Sequence, residues 1–123
     1  MIAIDTSSLR RFLAGESGRD VELVTDAMNH GRVRLPPVVV CETLSDPSLP
    51  ADLIEDIVAL PVLDLLDGYW RRAGLLRAAV IKRGHKAKLA DVLIAQSCLD
   101  HRLPLVTFDR DFRHYTRSGL LLL

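Results

Sequence analysis

Cysteine is scarce in this sequence, with only Cys41 and Cys98 among 123 residues. Two cysteines cannot form the set of disulfides that holds many small secreted domains together, and both lie in apolar stretches where a reduced, buried side chain is expected. The first charged residue, Asp5, follows after only four residues, which is not the pattern of a secretory signal. We therefore expect a cytoplasmic protein.

Long apolar runs and an excess of charge of one sign are also absent. No apolar run exceeds four residues, as in Leu120–Leu123, whereas a membrane helix needs about 20. Sixteen Lys and Arg balance 16 Asp and Glu, which argues against a histone-like basic coat and an acidic disordered tail. Aromatic residues make up only 5%, so the sequence has few side chains on which the bases of a nucleic acid could stack. The length predicts a single domain over residues 1–123.

Basic residues are concentrated in the second half of the chain. Residues 1–67 carry five basic and twelve acidic side chains, and residues 68–123 carry eleven basic and four acidic ones. Seven basic residues and no acidic residue lie between Arg71 and Lys88. Such a tract attracts phosphates through counterion release, although the tract alone is more typical of the solvated face of a helix.

Short apolar runs alternate with longer amphipathic segments, and glycine and proline mark many of the boundaries. The predicted strands are Met1–Ile4, Val33–Leu35, Val62–Leu66, Leu105–Thr107 and Leu120–Leu123. The predicted helices are Leu9–Ala14 (entered through Thr6–Ser8), Val21–Asn29, Val38–Leu44, Ala51–Leu60, Gly68–Arg83, Leu89–Leu99 and Asp109–Tyr115. Apolar strands between helices indicate an α/β fold, a three-layer α/β/α sandwich with a central parallel sheet of about five strands.

Four acidic residues fall near the ends of these elements. Asp5 ends the first strand and Asp109 lies two residues beyond the fourth, and ligands bind at this edge of a parallel sheet where the strand order reverses. Glu42 lies on the segment after the second strand, and Asp91 lies in the first turn of the helix before the fourth. Taken singly, each has a structural explanation such as helix capping. Their joint placement predicts a shared site.

Four carboxylates in one crevice repel each other. At ~5 Å and an effective dielectric constant of ~20, each pair costs about 3 kcal/mol, which protonation or a bound cation relieves. Oxygen ligands suit Mg²⁺ or Mn²⁺, and no histidine or cysteine stands beside these acids at a spacing typical of zinc sites. Two such ions ~4 Å apart can activate a water and stabilise the leaving oxygen of a phosphodiester. The residues therefore predict metal-dependent phosphate chemistry.

Three stretches carry a family resemblance: IAIDTSSL at the start, VCETL in the middle and LADVLIAQSCLDHRLPLVTFDRDF near the end. They resemble the PIN-domain ribonucleases, especially the VapC toxins of bacterial toxin–antitoxin pairs. The resemblance spans nearly the whole chain, although residues 15–35 and 45–88 match only in pattern. It implies a five-stranded parallel sheet in an α/β/α sandwich, an acidic pocket that binds Mg²⁺ or Mn²⁺, and endonucleolytic cleavage of RNA.

The same resemblance assigns roles by position in these motifs. Asp5 and Asp91 would be the principal metal ligands, while Glu42 and Asp109 would complete the shell or orient the attacking water. Asp111 occupies a place where the family often has an acid, and it is held in reserve as a ligand. The small hydroxyl residues expected to hydrogen-bond these carboxylates are Thr6 and Thr107.

The resemblance also implies a homodimer and a cognate antitoxin that blocks the pocket. A mean hydropathy of +0.19 indicates more apolar area than a small core hides. The stripe Leu53, Ile54, Ile57 and Val58 is a candidate partner surface, and core packing explains it equally well. The residues expected to contact RNA are Arg77, Lys82, Arg83, Lys86, Lys88, Arg110 and Arg113.

Two other functions compete with a nuclease. A phosphoryl-transfer α/β domain would use Asp5 as phosphoacceptor, but Thr6–Ser8 follow where a second acid is expected and no lysine occurs after Lys88. A non-catalytic interaction module would have little use for four acids at one edge. The leading hypothesis is a Mg²⁺- or Mn²⁺-dependent endoribonuclease that acts as the toxin of a toxin–antitoxin pair.

Overall fold

A parallel sheet forms the centre of the computed structural model, which describes all 123 residues. Its strands are β1 (Ile2–Ile4), β2 (Val33–Arg34) and β3 (Leu105–Val106), in the order β2-β1-β3. β1 is the middle strand and pairs in parallel with both neighbours. Ala3, Ile4, Leu105 and Val106 are fully buried, as expected for strands that are apolar on both faces.

The two outer strands predicted from the sequence are reduced to single bridges. Val62 pairs only with Leu35, and Leu122 pairs only with Leu105. The predictions of strands over Val62–Leu66 and Leu120–Leu123 are therefore wrong in extent. Residues 64–67, which follow Leu63, are exposed. Because they do not pack on the core, nothing holds them beside β2 as a longer strand. The predicted α/β class with a parallel sheet is nevertheless confirmed.

Six α-helices occupy the places predicted for them, with shifted ends. They are α1 (Thr6–Leu13), α2 (Arg19–Asn29), α3 (Pro37–Leu44), α4 (Ala51–Val58), α5 (Tyr69–Lys82) and α6 (Leu89–His101). α1 packs on α2 and α5 packs on α6, while α3 contacts both α1 and α6. No helix combines the length and apolar character needed to cross a membrane.

The helix predicted over Asp109–Tyr115 is instead a 3-10 helix over Arg110–Ser118. Residues three apart lie on one line along a 3-10 helix. Phe112 and Tyr115 have this spacing, and both are only 1% exposed. The 3-10 geometry therefore directs both aromatic rings into the core.

The strand order reverses at β1. The chain passes from β1 to β2 on one side of β1 and later forms β3 on the other side, so β1 and β3 are neighbours. Ligand sites of open parallel sheets form at the carboxyl ends of strands where the order reverses in this way. Asp5 follows β1 directly, and Thr107 follows β3 directly. The packing of α3 on α6 brings Glu42 and Asp91 to the same edge.

Candidate active site

The four acids predicted from the sequence line one pocket of about 220 Å³ at this edge of the sheet. Each comes from a different segment: the end of β1, α3, the first turn of α6 and the start of the 3-10 helix. The lining residues of the pocket are Asp5, Thr6, Ser7, Arg10, Glu42, Lys88, Ala90, Asp91, Ile94 and Asp109.

Asp5 is both a helix cap and a member of this pocket. Its Oδ1 accepts a hydrogen bond from the backbone N of Ser8 at 3.0 Å, which satisfies a free N–H in the first turn of α1. Ser7 Oγ lies 2.8 Å from both carboxylate oxygens, and Thr107 Oγ1 donates to Oδ2 at 2.7 Å. The carboxyl is only 3% exposed. Burial raises its pKa, and these hydrogen bonds oppose the rise.

Two hydroxyl groups connect Asp5 to the segment that carries Asp109. Thr107 Oγ1 accepts from the backbone N of Asp109 at 2.9 Å, and Ser7 Oγ accepts from the backbone N of Phe108 at 3.1 Å. Thr107 was expected here, whereas sequence reasoning treated Ser7 only as a helix-start residue. Its position two residues after a capping aspartate could have indicated its contact with Asp5, but not the contact with Phe108.

Glu42 is held at the pocket by α1. Thr6 Oγ1 donates to Glu42 Oε1 at 2.6 Å, as expected, and Arg10 Nη2 donates to the backbone O of Glu42 at 2.8 Å. Arg10 also lines the pocket, so it places a cation among the acids. Sequence reasoning missed Arg10, although its spacing of four residues from Thr6 puts both on one face of α1.

Asp91, Asp109 and Asp111 form the closest carboxylate cluster. One oxygen from each lies within 4.8 Å of the other two, and Asp109 Oδ1 accepts from the backbone N of Asp111 at 2.9 Å. Burial raises the pKa of Asp91 to about 6; the charges of Asp109, Glu42 and Asp111 add to the rise, and Lys88 opposes it. The cluster includes the reserve acid Asp111 and leaves out Asp5, although Asp5 was expected to be a principal ligand.

The residues of the pocket fit a divalent cation. All the ionisable oxygen donors are carboxylates, no histidine or cysteine lines the pocket, and this donor set is that of Mg²⁺ and Mn²⁺ sites. Tyr115 adds a further observation, since its buried hydroxyl has no hydrogen-bond partner. Burial raises the pKa of Tyr115 to about 12, and the nearby charges of Asp91, Asp111 and Asp109 contribute. The Tyr115 hydroxyl is therefore an unpaired buried polar atom within electrostatic reach of the cluster.

The predicted RNA-contact residues divide into three groups. Lys88 lines the acidic pocket, and Arg110 and Arg113 line an adjacent cavity that also includes Asp109. Two others make intramolecular hydrogen bonds, from Arg77 Nε to Ala87 O at 2.9 Å and from Arg83 Nη1 to Ser118 Oγ at 3.2 Å. Lys82 and Lys86 are exposed and line neither space. The structure thus brings only Lys88, Arg110 and Arg113 to the acids.

The apolar stripe on α4 is split between core and surface. Ile57 is 1% exposed and Val58 is 51% exposed. Leu53 lines a groove of about 360 Å³ that also includes Leu13 and Arg10 of α1. Because Arg10 lines both this groove and the acidic pocket, a partner in the groove would lie next to the acids.

Comparison with known proteins decides the family. The sequence matches the PIN domain family over residues 2–118, which includes every acid of the pocket. The chain belongs to the PIN domain family. The fold of this PIN domain is similar to that in a crystal structure of a member of the VapBC family of toxin–antitoxin systems, VapBC-5, from Mycobacterium tuberculosis. The TM-score is 0.71 and the sequence identity is 21%, over 99% of this chain and 98% of the other. No curated protein matches the chain significantly.

Proposed function

We propose that this PIN domain is a Mg²⁺- or Mn²⁺-dependent endoribonuclease that acts as the toxin of a toxin–antitoxin pair. The observation that carries the proposal is the meeting of Asp5, Glu42, Asp91 and Asp109 in one pocket. The raised pKa of Asp91 supports it, because burial and the neighbouring carboxylates both disfavour its charged form, and a bound cation offsets both effects. When bound, the metal activates water and stabilises the leaving oxygen of a phosphodiester.

The acidic side chains have two proposed roles, which are to bind the metal and to orient the attacking water. Asp91, Asp109 and Asp111 hold the cation at the closest cluster, with Asp5 contributing from the end of β1. Glu42 has Oε1 engaged by Thr6, so its other oxygen is available to orient the attacking water. Hydroxyl groups that fix a ligating carboxylate in this way keep a metal site in its working geometry.

Positive side chains near the acids bind the substrate phosphates. Lys88 and Arg10 lie within the pocket, and Arg110 and Arg113 lie beside it. Farther from the acids, this basic surface is extended along the RNA by four more side chains: Arg77, Lys82, Arg83 and Lys86. Counterion release at these side chains would attract a chain of phosphates. The choice of RNA over DNA rests on the resemblance to PIN-domain ribonucleases.

The proposed toxin role implies a cognate antitoxin, a homodimer and a cytoplasmic location. The solved structure from M. tuberculosis belongs to a toxin–antitoxin family, and we extend that role to this chain. A cognate antitoxin would block the pocket by occupying the groove beside Leu53 and Arg10. Exposed apolar residues such as Val58 (51%) and Val62 (45%) are consistent with a homodimer. The toxin would act in the cytoplasm.

The test is cleavage of total cellular RNA by the purified protein in Mg²⁺, in Mn²⁺ and in EDTA. Asp5→Asn and Asp91→Asn each remove one pocket charge, and Asp56→Asn removes an exposed charge on α4 as the matched control. We expect cleavage that needs a metal, is lost in both pocket variants and persists in the control. Full cleavage by Asp91→Asn or in EDTA would contradict the proposal. Parallel reactions with single-stranded DNA of matched sequence test the preference for RNA.

A further inference from the structure

Phe108 is an exposed aromatic residue held in a fixed position at the edge of the acidic pocket. It lies between Thr107 and Asp109, and its side chain is 60% exposed. Its backbone N donates to Ser7 Oγ at 3.1 Å. The core gains little from a ring in this position, so its place beside the acids needs another explanation.

Arg11 covers one face of this ring, with its guanidinium carbon 3.9 Å from the ring centroid. Arg11 is itself fixed, because Nε donates to Asp20 Oδ2 at 3.0 Å and Nη2 donates to the backbone O of Ser17 at 2.7 Å. A cation stacked on an aromatic ring stabilises the orientation of both groups. Phe108 is therefore a rigid ring with only one face occupied.

A cavity of about 230 Å³ borders Phe108 next to the acidic pocket. Arg11 is not among its lining residues, so the guanidinium on Phe108 does not fill this cavity. The cavity combines an aromatic residue, apolar side chains, two positive charges and the carboxylate of Asp109. Its lining residues are Thr107, Phe108, Asp109, Arg110, Arg113, Leu122 and Leu123.

We propose that this cavity is a subsite for one unpaired nucleotide adjacent to the scissile phosphate. The base stacks on Phe108, and the phosphate of that nucleotide is bound by Arg110 and Arg113. The inference rests on the proposed ribonuclease function and specifies the form of RNA that the enzyme takes. A base within a duplex is already stacked and paired, whereas an unpaired base can stack on a protein ring. The subsite therefore selects single-stranded RNA with little preference among the four bases.

The test is RNA binding measured by fluorescence anisotropy in Mg²⁺, with every protein carrying Asp91→Asn to prevent cleavage. Phe108→Leu retains an apolar side chain without an aromatic face, and Phe108→Trp restores one. Trp70→Leu is the matched control, since Trp70 is an exposed aromatic residue (66%) on α5 and lines neither the pocket nor the cavity. The probes are a labelled eight-nucleotide single strand and a labelled duplex of the same length.

We expect Phe108→Leu to weaken binding of the single strand about tenfold, the range for loss of one stacked base. Phe108→Trp and Trp70→Leu should stay within about twofold of the parent, and all proteins should bind the duplex equally. An abasic nucleotide placed at each position of the strand in turn should weaken binding to the parent at one position. It should weaken binding to Phe108→Leu at no position. Equal binding of the single strand by Phe108→Leu and the parent would overturn the inference, as would equal losses for single strand and duplex.

Cleavage by the protein with Asp91 intact separates the two proposals. If that protein cleaves RNA with metal while Phe108→Leu binds normally, the subsite is wrong and the proposed function stands. If it neither cleaves nor binds RNA, both proposals fail. Thermal unfolding of each variant confirms that the fold is retained.

Discussion

Thr107 Oγ1 donates a 2.7 Å hydrogen bond to Asp5 Oδ2, joining two residues that are 102 positions apart in the chain. The same hydroxyl accepts from the backbone N of Asp109 at 2.9 Å. One threonine at the end of β3 thus connects two acids of the pocket. This connection depends on β1 and β3 being neighbours in the sheet.

Thr107→Val should therefore disturb the site as well as the fold. It leaves a buried carboxylate with one hydrogen bond fewer and the N–H of Asp109 without its partner, at a cost of about 1–3 kcal/mol in the free energy of unfolding. We expect RNA cleavage to slow by about tenfold or more, and Thr107→Ser to restore most of both properties. Urea denaturation and cleavage rates measure the two effects.

Thr25→Val is the matched control for that change. Thr25 Oγ1 donates to the backbone O of Val21 at 2.8 Å on the exposed surface of α2, so its loss should leave stability and cleavage nearly unchanged. If Thr107→Val behaves like Thr25→Val, the connection between Asp5 and Asp109 has no importance.

Asp91 should make the metal-free protein less stable as the pH rises. Its pKa is raised from 3.8 to about 6 in the folded state, so folding favours the protonated carboxyl. The stability associated with that proton is complete below about pH 4 and is lost as the pH rises through about 6. The asparagine in Asp91→Asn stays neutral as the pH rises and loses no stability in this way. In EDTA at pH 7.5, Asp91→Asn should therefore be more stable than the wild type.

Thermal unfolding in EDTA between pH 4 and pH 7.5 measures this difference. The advantage of Asp91→Asn over the wild type should shrink towards zero at the acidic end. Added Mg²⁺ should stabilise the wild type and not the variant, because ligand binding to the folded state stabilises it. A variant that is less stable than the wild type at pH 7.5 in EDTA would show that the folded state does not disfavour the charged form of Asp91 as described.

The parts of the fold that could be predicted are those with strong local signals. Asp5 and Asp109 could be placed because each follows a short, fully apolar run that becomes a buried strand. The outer strands could not be delimited, since Val62–Leu66 is apolar at four of five positions yet only Leu63 of that segment is buried. Burial of that kind depends on tertiary packing that the local pattern does not contain.

The candidate site was predictable in its acids and less so in its surroundings. Ser7, Arg10 and Phe108 are side chains whose roles depend on contacts with distant segments. A serine in the first turn of a helix usually has a capping role, so only the packing of β3 beside β1 reveals that Ser7 also accepts from Phe108. Asp111 joined the close cluster because a 3-10 helix begins directly after Asp109.

Asp111 should bind the metal together with Asp91 and Asp109, since the three carboxylates lie within 4.8 Å of one another. Asp111→Asn is expected to weaken Mn²⁺ binding by roughly tenfold or more, whereas Asp56→Asn should leave it unchanged. Isothermal titration calorimetry with Mn²⁺ gives both affinities. Equal affinities would remove Asp111 from the ligand set.

Lys88 should contact a phosphate next to the acids, because it is the lysine of the basic tract that lines the acidic pocket. Lys88→Gln should reduce the slope of log K against log salt by about 0.7 for single-stranded RNA, the value for one lost phosphate contact. Arg19→Gln, at an exposed position on α2, serves as the control and should leave the slope unchanged. A slope in Lys88→Gln equal to that of the wild type would place the RNA elsewhere.

The most direct test of the account is Mn²⁺ titration of the metal-free protein, with free Mn²⁺ followed by electron paramagnetic resonance and RNA cleavage measured in the same samples. We predict that the wild type and Asp56→Asn bind Mn²⁺ and that cleavage rises in proportion to the bound metal. The double variant Asp91→Asn, Asp109→Asn should fold, bind no Mn²⁺ in the same range and leave RNA intact. Binding of Mn²⁺ by the double variant as tightly as by the wild type, or cleavage that does not follow occupancy, would contradict the account.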